Sequence, residues 1–432
     1  MYMLKQIAKE FVKSFPCGRK ENKKIEYFKK KYGKNFEEIL EMKTFFESNL
    51  NQEQRKILSE LMKPINGPIV YKKDNKYYVN DKIGECLRIV YSDFEEPRNL
   101  ALLIAEEYWK RGVHVSLIPT LSSISRKHLQ VIPEYTAAEL PEPSKIFAEK
   151  FDARIFIGGD EDDNWIRGLE SKQLLSAPST QYLRQIMDKR KVRWCVFGWP
   201  IKKKKYYVKP EFYRKVFIES IKSTFSKEVK EYCNYYKKAL EGCSEIKITA
   251  NDGTELTFNI KNRPILVADG IIDENDMKNG DVGLNIPDGE VFLAPHEYSA
   301  NGKIKFDFVA THGFGLIKNL WIEFKDGKVI NFKADGSGTK RFKKFLDSNT
   351  GDKDRIAEFG IGTNPSAKFI GETIVDEKIL GSIHIAIGSN QGAYHGKNVA
   401  SSHLDMIKIM KGKQGNCWAD GKLIMKDGMP NL

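Results

Sequence analysis

Histidine is scarce in this chain, and five of its seven copies, His296, His312, His384, His395 and His403, fall in the second half. Acidic residues stand near them in apolar settings. Glu290 follows a Pro-Asp-Gly turn and precedes the apolar run 291–294, Glu358 stands before a Gly360-Ile-Gly362 loop, and Glu377 lies between Val375 and Ile379. An ionised carboxylate in such surroundings is costly unless a partner or a metal compensates it. His403 and Asp405 are spaced i, i+2, which shares one face on a strand but splits across a helix. Their alternation with Leu404 and Met406 predicts a strand with one polar face. His384 sits inside the run 383–387, which predicts a buried strand.

Three Glu, two His and one Asp make a mixed oxygen and nitrogen donor set. Such a set suits two ions of the Zn²⁺, Co²⁺ or Mn²⁺ type, about 3.5–4 Å apart and sharing one carboxylate. A lone histidine on an apolar strand is more often a hydrogen-bonded core residue than a ligand, so the carboxylates tip the reading toward a metal site. The ligands are dispersed, with no compact H-E-x-x-H motif. His296, six residues after Glu290, either faces a substrate or occupies a turn. The six cysteines are far apart and form no C-x-x-C pair, so they read as reduced, mostly buried thiols and no thiolate zinc site is expected. No Gly-x-Ser-x-Gly elbow and no Gly-Lys-Ser/Thr phosphate loop occurs, which argues against nucleophile and phosphate-loop chemistry.

The elements that must position these side chains fall into two textures. Residues 86–91, 97–111 and 113–119 read as strand, helix and strand, an order that favours a parallel pair with a right-handed crossover. Further strands are expected at 153–157 and 192–197, and a long helical pattern at 210–240. Beyond residue 243, short alternating runs at 246–249, 256–260, 304–309, 320–324 and 329–332 are punctuated by Asn251-Asp-Gly253, Asp326-Gly327 and Asp420-Gly421 turns. The expected fold is α+β. Residues 1–65 form a helical extension in which Phe36, Ile39, Leu40, Phe45 and Phe46 continue a helical pattern. Residues 66–242 form an α/β domain with a short parallel-type sheet, and 243–432 a mostly antiparallel β domain that carries a dinuclear metal site.

With 432 residues, 41% of them hydrophobic and 30% charged, the chain has enough apolar material for more than one core. No apolar run approaches the length of a membrane span, and Lys and Glu interrupt the first 24 residues where a signal peptide would be apolar. A cytoplasmic protein is expected. Residues 1–240 carry 47 Lys and Arg against 32 Asp and Glu, whereas 241–432 carry 24 against 26. A basic first half raises nucleic-acid binding as a rival reading. Solvated helix faces account for it better, because few aromatics interleave with the basic residues as single-strand binding requires.

Several of these segments also resemble one family. Asn285-Ile-Pro-x-x-Glu290-Val-Phe-x-Ala-Pro, Glu358-x-x-x-Gly, Asp376-Glu377, His384-Ile-Ala-x-Gly and His403-x-Asp405 are similar, in order, to the aminopeptidase T / aminopeptidase S family of metallo-aminopeptidases. The resemblance is strong across about 245–410, looser through the α/β half, including 86–119 and 194–200, and absent before 65. It implies that Glu290, Glu358, Glu377, His384, His403 and Asp405 bind two metal ions, with Glu358 as the bridge. It implies a catalytic tyrosine matching Tyr394, with His395 as the alternative, although Tyr394 lies ten residues after His384 and an insertion through 389–392 lengthens the family's gap. Glu290 or Glu377 would shuttle the proton. Peptides with a free N-terminus as substrates, broad apolar preference and a homodimer follow from the resemblance alone. A different two-metal hydrolase, an amidase or a phosphoesterase, is the rival within catalysis.

Overall fold

Residues 86–120 fold in the order their pattern predicts: strand Cys86–Ser92, helix Glu95–Lys110 and strand His114–Thr120. Glu95 and Glu96 in the first turn and Lys110 in the last complement the helix dipole. Pro97 sits in that first turn, where its missing N–H leaves no bond unmade. The computed structural model describes residues 1–41, 45–46, 51–63, 70–311 and 314–431, so His312 lies outside the described residues.

The two strands pair in parallel and belong to a five-stranded sheet in the order Gly283–Ile286, Arg193–Gly198, Ala153–Gly158, Cys86–Ser92, His114–Thr120. Its first strand comes from the second half of the chain. Helices Tyr2–Ser14, Glu95–Lys110 and Pro210–Thr224 supply Phe11, Leu100, Ile104 and Phe217 to the core against this sheet, joined by Phe15 just past the first helix. The helical pattern at 210–240 is two helices, not one. The break falls at Phe225 and Ser226, where the Ser226 hydroxyl accepts from the Val229 N–H and caps helix Lys227–Leu240. Phe45 and Phe46 do not continue a helix either: they form a short strand against Lys76–Val79. Among the described residues no helix is long and apolar enough to cross a membrane.

The second half folds as expected into a large antiparallel sheet, of thirteen strands. Four neighbours matter most: Glu290–Leu293, Ile356–Gly362, Ser382–Gly388 and His403–Ile409, paired in that order. Successive strand side chains point to opposite faces. Val291, Leu293, Phe359, Ile361, Ile383, Ile385, Ile387, Leu404 and Met406 therefore share one face, and all lie in a core that also holds Val229, Tyr236 and Leu240 of the capped helix. Glu290, Glu358, Gly360, Gly362, His384, Ala386, His403 and Asp405 share the other.

Glu358 reaches that face through an irregularity. The register shifts between Ile356, opposite Ile387, and Glu358, opposite Ala386. Ile356 packs in the apolar core, and a bulge at this point turns Glu358, only two residues later, to the opposite side. The connection 363–381 then leaves the antiparallel sheet. It plants Ala367, Ile370 and Val375 in the core of the parallel sheet before returning to strand Ser382–Gly388.

Candidate metal centre

Cross-strand register sets the positions. Glu358 lies opposite Ala386 and Ala386 opposite Asp405; the adjacent row places His384 opposite Gly360, and Glu290 pairs with Gly362. Glu358 is the hub. Its Oε1 is 3.0 Å from His384 Nε2, and its Oε2 is 3.0 Å from His403 Nε2 and accepts a 2.7 Å hydrogen bond from the Tyr394 hydroxyl. The ligand atoms of Glu290, Glu358 and His384 lie within 4.8 Å of one another, and so do those of Glu358, His403 and Asp405. Two groups of three donors thus meet at one carboxylate.

Each imidazole has a defined setting. His403 Nδ1 is 2.7 Å from the Ser389 carbonyl oxygen. A carbonyl only accepts, so Nδ1 carries the hydrogen and Nε2 is turned toward Glu358 and, at 3.4 Å, Asp405. His384 lies over Gly360, where a Cβ would come within 2.1 Å of its ring. Gly360, Gly362 and Ala386 keep the floor between the acidic and basic side chains low. The expected Gly-Ile-Gly loop is in fact the last part of strand Ile356–Gly362, and its first glycine makes room for an imidazole rather than for a bound group.

Lys378, fully buried, is a functional candidate that the sequence reading did not pick out. Its ammonium donates to Glu290 Oε1, lies 2.9 Å from Glu377 Oε1 and 3.7 Å from Asp288 Oδ1. Glu377 stands beside this ammonium, at the end of the helical turn Thr373–Asp376, and belongs to neither group of three close donors. Asp376, expected as part of the same motif, turns away: its carboxylate accepts from the Ile370 and Gly371 N–H groups at 2.8 and 3.0 Å and folds the connection. A lysine flanked by Glu377 and Ile379 reads as a surface residue; the only hint of burial is the apolar stretch 379–387 that follows.

The electrostatics are those of tightly coupled neighbours. Burial pushes the Glu358 carboxyl up, but hydrogen bonds and charge from His384 and His403 outweigh it and hold it well below the usual carboxylate range. Burial lowers His384, yet its bond to Glu358 and the charges of Glu290, Glu358 and Asp405 carry it up to about 9. Burial, offset in part by Lys378 and reinforced by Glu290 and Asp405, raises Glu377 to about 8.

The residues fit a divalent cation. Glu290 Oε2 is buried with no hydrogen-bond partner among the described residues and faces His384 Nε2 at 3.5 Å. Such an orphaned atom costs about 1–3 kcal/mol, a cost that a cation at this position would remove. The lone pairs that hold the imidazole protons are the ones a metal would take. Gly360→Ala is accordingly expected to displace His384 and weaken Co²⁺ binding by about 10–100-fold. Equilibrium titration reads this directly, and unchanged affinity would remove His384 from the donor set.

The other histidines stand elsewhere. His296 Nε2 is 2.8 Å from the Lys261 carbonyl oxygen, in a turn. His395 has a left-handed backbone, φ 52°, just after the 3₁₀ turn Gly392–Tyr394. It is Tyr394 that reaches Glu358.

Comparison with known proteins places the chain. It is 29% identical to Aminopeptidase 2 of Geobacillus stearothermophilus and 31% identical to Aminopeptidase T of Thermus aquaticus, in each case over 109 residues or 24% of this chain. These matches span 25% and 26% of the two relatives, so the chain aligns with about a quarter of their length. Its fold is similar to that of wild-type AmpT from Thermus thermophilus, with a TM-score of 0.63 and 19% identity over 81% of this chain and 95% of that one. A 2,5-dihydroxypyridine dioxygenase from Pseudomonas putida shares the fold at TM-score 0.51 and 14% identity, over 80% of this chain and 91% of that one. Fold alone therefore does not select the chemistry. Residues 76–429 match the profile of the thermophilic metalloprotease family (M29), and the match spans most of the chain. With all five strands of the parallel sheet and every residue of the candidate site inside that span, the chain belongs to the thermophilic metalloprotease family M29.

Proposed function

We propose that this protein is an aminopeptidase that releases single residues from the free amino end of peptides, using two divalent ions of the Zn²⁺, Co²⁺ or Mn²⁺ type. Glu290, Glu358, His384, His403 and Asp405 would hold the pair, with Glu377 alongside. One observation carries the reading: two groups of three donors share Glu358. A carboxylate common to two donor groups is what a bridging ligand requires.

Ions bound there would supply Lewis acidity and lower the pKa of a water toward neutrality. The chain's own residues do the rest. The Ser389 carbonyl fixes the His403 tautomer and leaves Nε2 free to face inward. Lys378 balances Glu290 and Glu377, so that neighbouring carboxylates coexist in a buried site. The Tyr394 hydroxyl, held at Glu358, is placed to donate to the oxygen on which negative charge develops. Glu377, outside both close groups, is the carboxylate left to carry a proton to the leaving amine. The free amino end of the substrate would be held by a carboxylate beside the ions. Family resemblance supports a homodimer with broad preference for apolar first residues.

The test is hydrolysis of aminoacyl-nitroanilides before and after chelation, with Co²⁺ or Zn²⁺ added back. Chelation is expected to lower the rate by about 100-fold or more, and the ion to restore it. Full activity in chelated protein, or activity on N-acetylated or phosphorylated substrates with none on free amines, overturns the proposal.

A further inference from the structure

We propose that the buried ion pair between Arg263 and Glu297 is the positioning device for Tyr394; its kinetic consequence rests on the aminopeptidase reading above. Tyr394 is carried on a loop, and a side chain on a loop reaches one place only if the loop is tied down. The ties here are an ion pair and a set of hydrogen bonds to the loop. Arg263 Nη2 is 2.7 Å from Glu297 Oε2, with the two side chains 7% and 5% exposed, and Arg263 Nη1 donates to the carbonyl oxygen of His395, the residue after Tyr394. The second oxygen of the same carboxylate, Glu297 Oε1, accepts from the Lys397 N–H at 2.7 Å and from Asn390 Nδ2 at 3.3 Å. The pair therefore grips the loop on both sides of the tyrosine.

Two buried asparagines close the loop on itself. Asn390 Oδ1 accepts from the Asn398 N–H at 2.9 Å, the Asn390 carbonyl accepts from the Gly396 N–H at 2.9 Å, and Asn398 Nδ2 donates to the Ile356 carbonyl at 2.8 Å. Gly396 is required by this closure, since a Cβ there would lie 2.1 Å from the Asn390 side chain. The frame to which the loop is tied is the site's own. Glu297 follows strand Glu290–Leu293 by four residues, Arg263 precedes its partner strand Leu266–Ala268 by three, and Ile356 begins the Glu358 strand. Arg263 and Glu297 touch none of the donor atoms. They act through Tyr394, whose hydroxyl would otherwise be spread over many loop conformations.

The experiment is a double-mutant cycle on the metal-loaded full chain with an aminoacyl-nitroanilide, combined with hydrogen exchange. Tyr394→Phe is expected to lower kcat by about 100-fold, with KM changed less than about 2-fold. Arg263→Met is expected to lower kcat by about 10-fold in the wild-type background and by less than about 2-fold beside Tyr394→Phe, because the residue it positions is already gone. Glu297→Gln, which keeps the shape of the carboxylate, should behave like Arg263→Met, and Arg263→Lys should recover part of the rate. Amide exchange should quicken across 389–398 in both clamp variants while strands 356–362 and 382–388 stay protected. Independent, multiplicative effects of Arg263→Met and Tyr394→Phe overturn the inference, as does unchanged exchange in the loop. If wild-type protein itself hydrolyses no free-amine substrate, the functional reading fails instead, and the exchange measurement alone decides the clamp.

Discussion

Glu358→Gln is expected to lower kcat/KM by about 1,000-fold, equivalent to about 4 kcal/mol of barrier. The side chain keeps its size, so the loss isolates what the second oxygen and the negative charge contribute. In the native side chain Oε1 faces His384, and Oε2 faces His403 and accepts from Tyr394. An amide offers one acceptor oxygen and an NH₂ that only donates. One of the two donor groups would then confront a hydrogen where it needs a lone pair, and both would lose the charge that holds the imidazoles. The expected accompaniment is loss of at least one equivalent of tightly bound Co²⁺, read by titration, with the far-ultraviolet spectrum unchanged. A variant that retained more than a tenth of the wild-type rate would show that Glu358 is a neighbour of the chemistry and not its centre.

The second large effect is on stability. Lys378→Met is expected to destabilise the fold by about 3–5 kcal/mol, the usual result of removing one partner from a buried charge cluster. The methionine fits the space but leaves Asp288, Glu290 and Glu377 facing one another. Asp288 is already pushed well above the usual carboxylate range by burial, against the pull of Lys378. Without the ammonium, these carboxyls must take up protons or draw in solvent. The free energy of chemical unfolding measures the cost, and a value within about 1 kcal/mol of wild type would show that Lys378 is incidental. Lys378→Arg is not expected to rescue, because a planar guanidinium needs more room than this enclosed site offers to an ammonium.

Much of the candidate donor cluster was legible because strands have a period of two. His384 within an unbroken apolar run, and His403 with Asp405 alternating against Leu404 and Met406, fix both the strands and the face. Glu290 was legible from a different signal, a carboxylate between a Pro-Asp-Gly turn and the apolar run 291–294. Glu358 was singled out but misplaced before a loop. What aims it is a bulge, and a bulge is a pairing between strands that a single sequence does not display. Lys378 was missed because two of its partners, Asp288 and Glu290, are far away in the chain, and Arg263 and Glu297 because an ion pair separated by 34 residues leaves no periodicity. The single helix expected over 210–240 broke at Ser226, a capping residue that apolar spacing alone does not weigh. The parallel sheet was anticipated in its order of strand and helix. Its fifth strand, Gly283–Ile286, was not, because a four-residue segment is too short for its pattern to name its partner.

The detour of residues 363–381 ties the candidate metal centre to the other core. Glu377 and Lys378 serve a face of the antiparallel sheet, yet Ile370 and Val375, which anchor their segment, are buried in the other core, and Glu372 is held there by Lys203 at 2.6 Å and by Tyr213 at 3.1 Å. Loosening the parallel-sheet unit therefore withdraws a carboxylate and its counter-charge from a centre built on different strands. The two halves are coupled through this shared thread: a C-terminal fragment would keep most of the candidate donors but not the buttress that holds Glu377 and Lys378, and the proposed activity is expected only where both halves have folded around it.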